Sequence, residues 1–148
     1  MYKHILVAVD GSATSDKALA EAINLAKDQQ ARLKIVYTVD DASIFTAADV
    51  PDAVGIEKSW IAAGQKILEK ARKKAEDAGI EVETKLLQTD IMGEKIPDAI
   101  VNEAKTWPAD LLVAGTHGRR GLAHLLMGSV AEGIVRSSPT PLLLVRGK

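Results

Sequence analysis

The stretch Ile5-Leu6-Val7-Ala8-Val9 decides the fold. Five consecutive apolar residues, three of them β-branched, are typical of a strand that is buried on both of its faces. Such a strand needs a helical layer above and below it, which is the arrangement of a parallel sheet in an α/β protein. Asp10 and Gly11 follow at once and predict a turn that leads from the strand into a helix.

The rest of the chain repeats this alternation of strand and helix. Further strands are predicted over residues 33–39, 80–86, 110–115 and 141–145. Four helices are predicted between the strands: one capped by Ser15, one from about Trp60 that ends at Gly79, one over 96–106 and one over 129–137. The pattern predicts an α/β fold with an open five-stranded parallel sheet, helices on both faces, and a single domain over residues 1–148.

Two segments carry expectations of their own. Residues 80–86 alternate apolar and charged side chains, which indicates a strand with one wet face at an edge of the sheet. Residues 40–55 show no period of either kind and are predicted to form a loop of about sixteen residues. Such a loop could be a lid or a partner surface, or merely a slack connection.

Composition excludes several classes of protein. The 148 residues carry 19 Lys and Arg against 20 Asp and Glu, a net charge of −1, so no overall field attracts nucleic acid or an anionic membrane. The chain has no cysteine, which excludes disulfides and cysteine-bound zinc. Its longest apolar runs are about five residues, far too short for a membrane span. The expected location is the cytoplasm.

Residues suited to ligand binding gather after strands 1 and 4. In an open α/β sheet, ligands bind beyond the carboxyl ends of the strands, where the winding direction reverses. Asp10 follows strand 1 and could accept hydrogen bonds from ribose hydroxyls. Residues 115–129 lead from strand 4 into a helix, and their glycines would let backbone amides approach an anion. Arg119 and Arg120 could neutralise a phosphate tail, and Ser129 adds a hydroxyl donor.

The sequence lacks other common motifs for nucleotide binding, metal binding and catalysis. There is neither a G-x-x-x-x-G-K-[ST] loop nor a G-x-G-x-x-G fingerprint after any strand. The histidines at positions 4, 117 and 124 lack an acidic pair and do not predict a metal site. His117 lies inside residues 115–129, called the glycine segment below, and could contact phosphate or ribose. Because no general base or nucleophile pair can be recognised from spacing, binding is favoured over catalysis.

Three segments together resemble the universal stress protein family. They are residues 1–11, the pattern G-x₂-G-x₉-G-[ST] at Gly115, Gly118, Gly128 and Ser129, and residues 138–145. The glycine pattern is that of the family's ATP-binding branch. The resemblance covers nearly the whole chain and implies a strand order of 3-2-1-4-5, a bound ATP with or without Mg²⁺ or Mn²⁺, and a homodimer.

The resemblance also assigns roles to residues. Asp10 would meet the ribose, and Ala8, Thr38 and Ala114 would line an adenine pocket, with Val39 close by. The phosphates would be held by Gly115, Gly118, Arg119, Arg120, Gly128, Ser129 and Val130.

With this strand order, strand 5 lies at an edge and its residues Leu142, Leu143, Leu144 and Val145 are all apolar. A two-fold dimer that pairs strand 5 with its own copy would cover this edge, unless a helix or the loop after strand 2 shields it.

Three functions remain open at this point. The chain could be an ATP-binding stress-response module whose shape or association depends on nucleotide. It could be an enzyme, either a slow ATPase or a phosphate-transfer protein, or a dimeric scaffold with no nucleotide. The intact glycine pattern disfavours the scaffold, and the absence of a recognisable base disfavours the enzyme.

Overall fold

The computed structural model describes residues 1–47, 50–118 and 127–147. Its strands are β1 (His4–Ala8), β2 (Arg32–Val39), β3 (Val82–Gln88), β4 (Leu111–Gly115) and β5 (Leu142–Val145). Its helices are α1 (Ala13–Gln29), α2 (Asp41–Phe45), α3 (Ala53–Asp77), α4 (Ile96–Thr106) and α5 (Ser129–Ser137). Arg119, Arg120 and His124, which the sequence analysis named, lie outside the described residues.

The five strands form one parallel sheet in the order β3-β2-β1-β4-β5. The predicted fold and strand order are confirmed, and β3 lies at an edge as expected. The chain builds outward from β1 through β2 to β3, then crosses to the other side for β4 and β5. The winding direction therefore reverses between β1 and β4, whose residues Val7 and Val113 are paired.

The central strand is buried on both faces, because its side chains alternate between two core clusters. Ile5 and Val7 belong to the cluster that contains Leu19 of α1 and Leu68 of α3. Leu6 belongs to the other cluster, which holds residues of α4 and α5. This alternation explains why the first strand is a continuous apolar run.

The cap of α1 differs from the prediction. The helix begins at Ala13 with Ser12 as its N-cap, and the Ser12 side chain accepts a hydrogen bond from Ser15 N. The predicted cap, Ser15, is buried inside the first turn, where its hydroxyl accepts a hydrogen bond from Asp10 N at 2.9 Å. Both serines bond backbone amides, but only Ser12 has the extended backbone of a cap.

The predicted loop over 40–55 is also wrong, because α2 and the start of α3 lie within it. Asp40 caps α2 and Asp52 caps α3, the latter through a bond from Gly55 N to its carboxylate. The period of the first turns of α3 is blurred because apolar side chains stand on its exposed face: Val54 is 55% exposed and Trp60 is 41% exposed.

A buried ionic network joins β2, β3 and α4. The Lys34 ammonium lies 2.5 Å from one carboxylate oxygen of Glu103, and the Lys85 ammonium lies 2.9 Å from the other. Lys34 is 6% exposed and Glu103 is 8% exposed. Burial alone would raise the pKa of Glu103, but the hydrogen bonds and charges of the two lysines outweigh it and hold that pKa below its ordinary value.

Candidate functional site

The carboxyl ends of β2, β1 and β4 lie side by side in that order. Adjacent strands are about 4.8 Å apart, so β2 and β4 are separated by about 10 Å. Thr38 lies near the end of β2, Asp10 follows β1, and the glycine segment follows β4. The structure therefore brings Asp10, Thr38 and the described ends of the glycine segment to one edge of the sheet, while Ala8 and Ala114, also predicted for the base, lie on β1 and β4.

Asp10 is held in a defined orientation beside the glycine segment. One of its carboxylate oxygens, Oδ1, accepts a hydrogen bond from Ser12 N at 2.9 Å. The other, Oδ2, lies so close to Gly118 that a Cβ on that glycine would be 2.5 Å away. The loop after β1 thus contacts the loop after β4, because the Asp10 carboxylate lies against Gly118, which has no side chain.

The two ends of the glycine segment also meet, backbone to backbone. Gly128 N donates a hydrogen bond to Thr116 O at 2.6 Å. A Cβ on Gly128 would lie 3.2 Å from Thr116 O and 3.3 Å from His117 Cα. Gly128 is the N-cap of α5 and makes no side-chain cap, so the first-turn amides of this helix receive no bond from their cap residue. Uncapped helix amides favour an anion.

Gly115 has a packing role as well. A Cβ there would lie 2.8 Å from Thr14 Cγ2 and 3.3 Å from the Thr14 backbone, so the absence of a side chain lets α1 approach the end of β4. The same threonine contacts Gly147, where a Cβ would be 2.7 Å from Thr14 Oγ1. The close packing of α1 explains Gly115 without a ligand.

The residues predicted to surround the base share one face of the sheet. Ala114 belongs to the core cluster of α4 and α5, and Ala8 packs against it, as does Val130, which was predicted for the phosphates. Val36 is also in this cluster, and Thr38 lies two residues further along β2, so its side chain is on the same face. The face ends in small side chains at the carboxyl edge of β1 and β4.

Val39 is placed differently. Its side chain belongs to the opposite core cluster, together with Tyr37, and is buried there. Its carbonyl accepts a hydrogen bond from Thr89 N at 3.0 Å, which continues the pairing of β2 with β3. The structure therefore brings Val39 near the site through its position in the chain, but turns its side chain away.

A cleft of about 520 Å³ opens beside these residues. Three segments line it: residues 40–46, which include α2, residues 93–97, which lead into α4 and begin it, and residues 129–136 of α5. Ser129 and Val130 were predicted from the sequence, and the other lining residues were not. These come from three distant parts of the chain, and no local pattern signals their meeting.

The described residues hold neither a metal-binding cluster nor a membrane-spanning helix. Within residues 1–47, 50–118 and 127–147, no group of three or more His, Cys, Asp or Glu side chains is arranged to hold a metal ion. In the same part of the chain, no helix is long and apolar enough to span a membrane.

The fold is that of an open α/β protein in which the winding reverses between β1 and β4. Residues 1–146 match the model of the universal stress protein family, and the chain belongs to that family. Universal stress protein MJ0531 of Methanocaldococcus jannaschii is 36% identical over 99% of this chain and 83% of its own length. Universal stress protein YxiE of Bacillus subtilis is 36% identical over 99% of this chain and 100% of its own length.

Solved structures give the same result. Hypothetical protein MJ0577 superposes with a TM-score of 0.84 at 26% identity, over 100% of this chain and 98% of that one. A universal stress protein in complex with cAMP has a TM-score of 0.71 at 28% identity, over 99% and 98% of the two chains. The universal stress protein from Archaeoglobus fulgidus in complex with dAMP has a TM-score of 0.68 at 25% identity, over 97% and 98%.

Proposed function

We propose that this protein binds ATP across the carboxyl ends of β2, β1 and β4. The base lies at Thr38 on β2, the ribose meets Asp10 after β1, and the phosphates lie on the segment after β4. The observation that carries the proposal is the lateral order of these three strand ends, which matches the order of base, sugar and phosphate. Adenine nucleotides in two structural neighbours, cAMP and dAMP, support the same class of ligand.

The chemistry of the segment after β4 supports its role toward phosphate. Gly118 and Gly128 present bare backbone where the loops converge, and α5 begins with a glycine cap, which has no side chain to bond the first-turn amides. Such amides bind anions. Arg119 and Arg120 lie in this segment of the sequence and would supply positive charge to the phosphate tail. Mg²⁺ or Mn²⁺ would be held by phosphate oxygens and waters, since the described residues offer no cluster of ligands.

The output of binding in this proposal is regulatory. The protein acts as a single-domain cytoplasmic stress-response module whose shape or association depends on the nucleotide. Residues 40–46 and 93–97 line the cleft next to the proposed base site, so a bound nucleotide would contact segments that lie on the surface. Surface segments beside a ligand can change the protein's contact with a partner when the ligand binds.

Thermal unfolding of nucleotide-free protein with and without Mg-ATP tests the proposal. A ligand that binds only the folded state, present at about 100 times its dissociation constant, adds about 2.7 kcal/mol to the free energy of unfolding. We expect a clear rise in Tm at millimolar ATP. No rise, in protein shown to be free of nucleotide, would refute ATP binding.

We further propose that β5 forms a homodimer interface. Its four residues, Leu142, Leu143, Leu144 and Val145, are all apolar and all only partly buried, although the strand stands at an edge of the sheet. An apolar edge strand readily pairs with another chain. A copy of the same strand, related by a two-fold axis, would cover both edges with one interface.

A further inference from the structure

The hydroxyl oxygen of Thr38 is buried from solvent and has no hydrogen-bond partner among the described residues. In the part of the chain that the structure describes, its Oγ1 is one of two buried side-chain oxygens with no partner, the other being Asp41 Oδ1. The Asp41 carboxylate is bonded through its second oxygen, which accepts from Gln88 Nε2 at 2.8 Å. The threonine side chain has only one oxygen, so Thr38 has no second side-chain oxygen that could be bonded instead. Because buried polar groups are nearly always paired, this one needs a reason.

The place of Thr38 in the sheet supplies a reason. β1 ends at Ala8, which pairs with Val36, so Thr38 lies two residues past the end of that neighbouring strand. On its other side it pairs with Leu87 of β3. Its side chain is on the face that carries Ala8 and Ala114, both of which have small side chains. Asp40, two residues further on, already lines the cleft.

We propose that the Thr38 hydroxyl is a specificity-determining group that hydrogen-bonds the polar edge of the adenine base. The inference rests on the proposed ATP site. A hydroxyl both donates and accepts, and adenine presents an amino donor beside ring-nitrogen acceptors, so the two groups are complementary. The residue as a whole is partly exposed while its oxygen is sealed. One step of χ1 between staggered positions would exchange hydroxyl and methyl and bring the oxygen to the exposed side.

The Thr38 hydroxyl is expected to have opposite effects in the two states, lowering the stability of the nucleotide-free protein and strengthening the binding of nucleotide. Without ligand, the unpaired hydroxyl destabilises the fold, so its removal should stabilise it. With ligand, the hydroxyl gains a partner, so its removal should weaken binding. A hydroxyl with a purely structural role cannot give both results.

Thr38→Val, which replaces only the hydroxyl by a methyl, is the decisive variant, and Thr89→Val is its matched control. Thr89 lies just past the end of β3 and is buried like the Thr38 hydroxyl, but its oxygen is paired: it accepts from Ala42 N at 2.9 Å and donates to Asp40 Oδ1 at 3.3 Å. We expect Thr38→Val to raise the Tm of the nucleotide-free protein and Thr89→Val to lower it.

The binding experiment uses titration calorimetry with two probes, ATP and inorganic tripolyphosphate. We expect Thr38→Val to weaken ATP binding about fivefold, the value of one neutral hydrogen bond, and to leave tripolyphosphate binding unchanged. Equal ATP affinity in the wild type and Thr38→Val would overturn the inference and leave the ATP site standing, as would equal weakening of both probes. Failure of the wild-type protein to bind ATP would refute the proposed function itself, and the inference with it.

Discussion

The Asp10 carboxylate lies directly against the backbone of Gly118, and this contact joins the loop after β1 to the loop after β4. A Cβ on Gly118 would stand 2.5 Å from Asp10 Oδ2, well inside van der Waals distance. Asp10 is held from the other side, since its Oδ1 accepts a bond from Ser12 N. The proposed ribose site and the proposed phosphate site therefore depend on each other sterically.

Gly118→Ala should weaken ATP binding about tenfold or more while changing stability little. The added methyl meets the end of a carboxylate side chain, which can turn aside without moving the core, but the turn removes Asp10 from its bonded position. Calorimetric titration with ATP measures the affinity, and thermal unfolding measures the stability.

The comparison with Asp10→Ala identifies the cause of this loss. If Gly118→Ala acts by displacing the carboxylate, the two substitutions share one effect and the double variant binds ATP about as weakly as Asp10→Ala alone. Fully additive losses would show that the methyl on Gly118 weakens ATP binding by a route that does not pass through the Asp10 carboxylate.

Gly128→Ala should reduce both ATP affinity and stability. Its Cβ would press on backbone, at 3.2 Å from Thr116 O and 3.3 Å from His117 Cα, and backbone cannot turn aside as a side chain can. We expect a loss of about 1–2 kcal/mol in the free energy of unfolding, typical of overpacking, and at least a tenfold loss of ATP affinity.

Gly79→Ala provides the matched control. Gly79 has a φ of +80° and no atom near its missing Cβ, and it lies after α3, away from the proposed site. Alanine there should cost about 1 kcal/mol through backbone strain and leave ATP affinity unchanged. Unchanged ATP affinity in folded Gly128→Ala would contradict the proposed phosphate site.

Glu103→Gln should destabilise the protein by about 3 kcal/mol near neutral pH. The amide removes the nearest counter-charge of the buried Lys34 ammonium and leaves it only the more exposed Glu83 carboxylate, 4.0 Å away, and breaking a buried ion pair from one side is costly. Lys85→Met should cost about 1 kcal/mol or less, because the Lys85 side chain is half-exposed and Glu103 keeps Lys34. Urea unfolding of the three proteins gives the free energies.

The wild type and Glu103→Gln also test the lowered pKa of Glu103. The lysines favour the ionised carboxylate in the folded state, so its contribution is fully present above the ordinary value of 4.5 and is lost as the pH falls through the lower folded value. The difference in stability between wild type and Glu103→Gln should therefore be constant above about pH 6 and shrink below about pH 4.5. A difference that grows on acidification would contradict the assignment.

Leu143→Lys should convert the proposed dimer to a monomer at tens of micromolar protein. The substitution puts a charge into the apolar β5 edge, where the two copies would meet. Sedimentation velocity measures the association state. Because Leu143 also packs on the core cluster of α1 and α3, thermal unfolding must show that the variant is folded. A wild type that is monomeric at this concentration would exclude the dimer, and a variant that stays dimeric would place the interface elsewhere.

Four of the strands could be predicted because each is a short, mainly apolar run, and the third because its sequence alternates as an edge strand does. The third strand runs over Val82–Gln88, two residues later at each end than the predicted 80–86. The predictions of a Ser15 cap and a long loop over 40–55 failed where local signals compete. Ser12 and Ser15 both suit a cap, and the structure distinguishes them by the backbone, which is extended at Ser12 and helical at Ser15. Exposed apolar residues on α3 concealed its helical period.

The site could be predicted in part, since its glycines and Asp10 directly follow strands that the sequence reveals. What the sequence analysis missed depends on tertiary contacts. Thr14 packs beneath Gly115, and the cleft is lined by three distant segments. The Lys34 and Glu103 pair was also missed, although a lysine inside the apolar run of β2 is a signal that a buried partner must exist. The partner's identity requires the packing of α4 against the sheet.

Native mass spectrometry of protein purified without added nucleotide is the most direct test of ATP binding. We expect one adenine nucleotide for each chain, and ATP rebinding with the same stoichiometry after the protein is stripped and titrated. A stripped and folded protein that binds no ATP at millimolar concentration would refute the proposed ATP site.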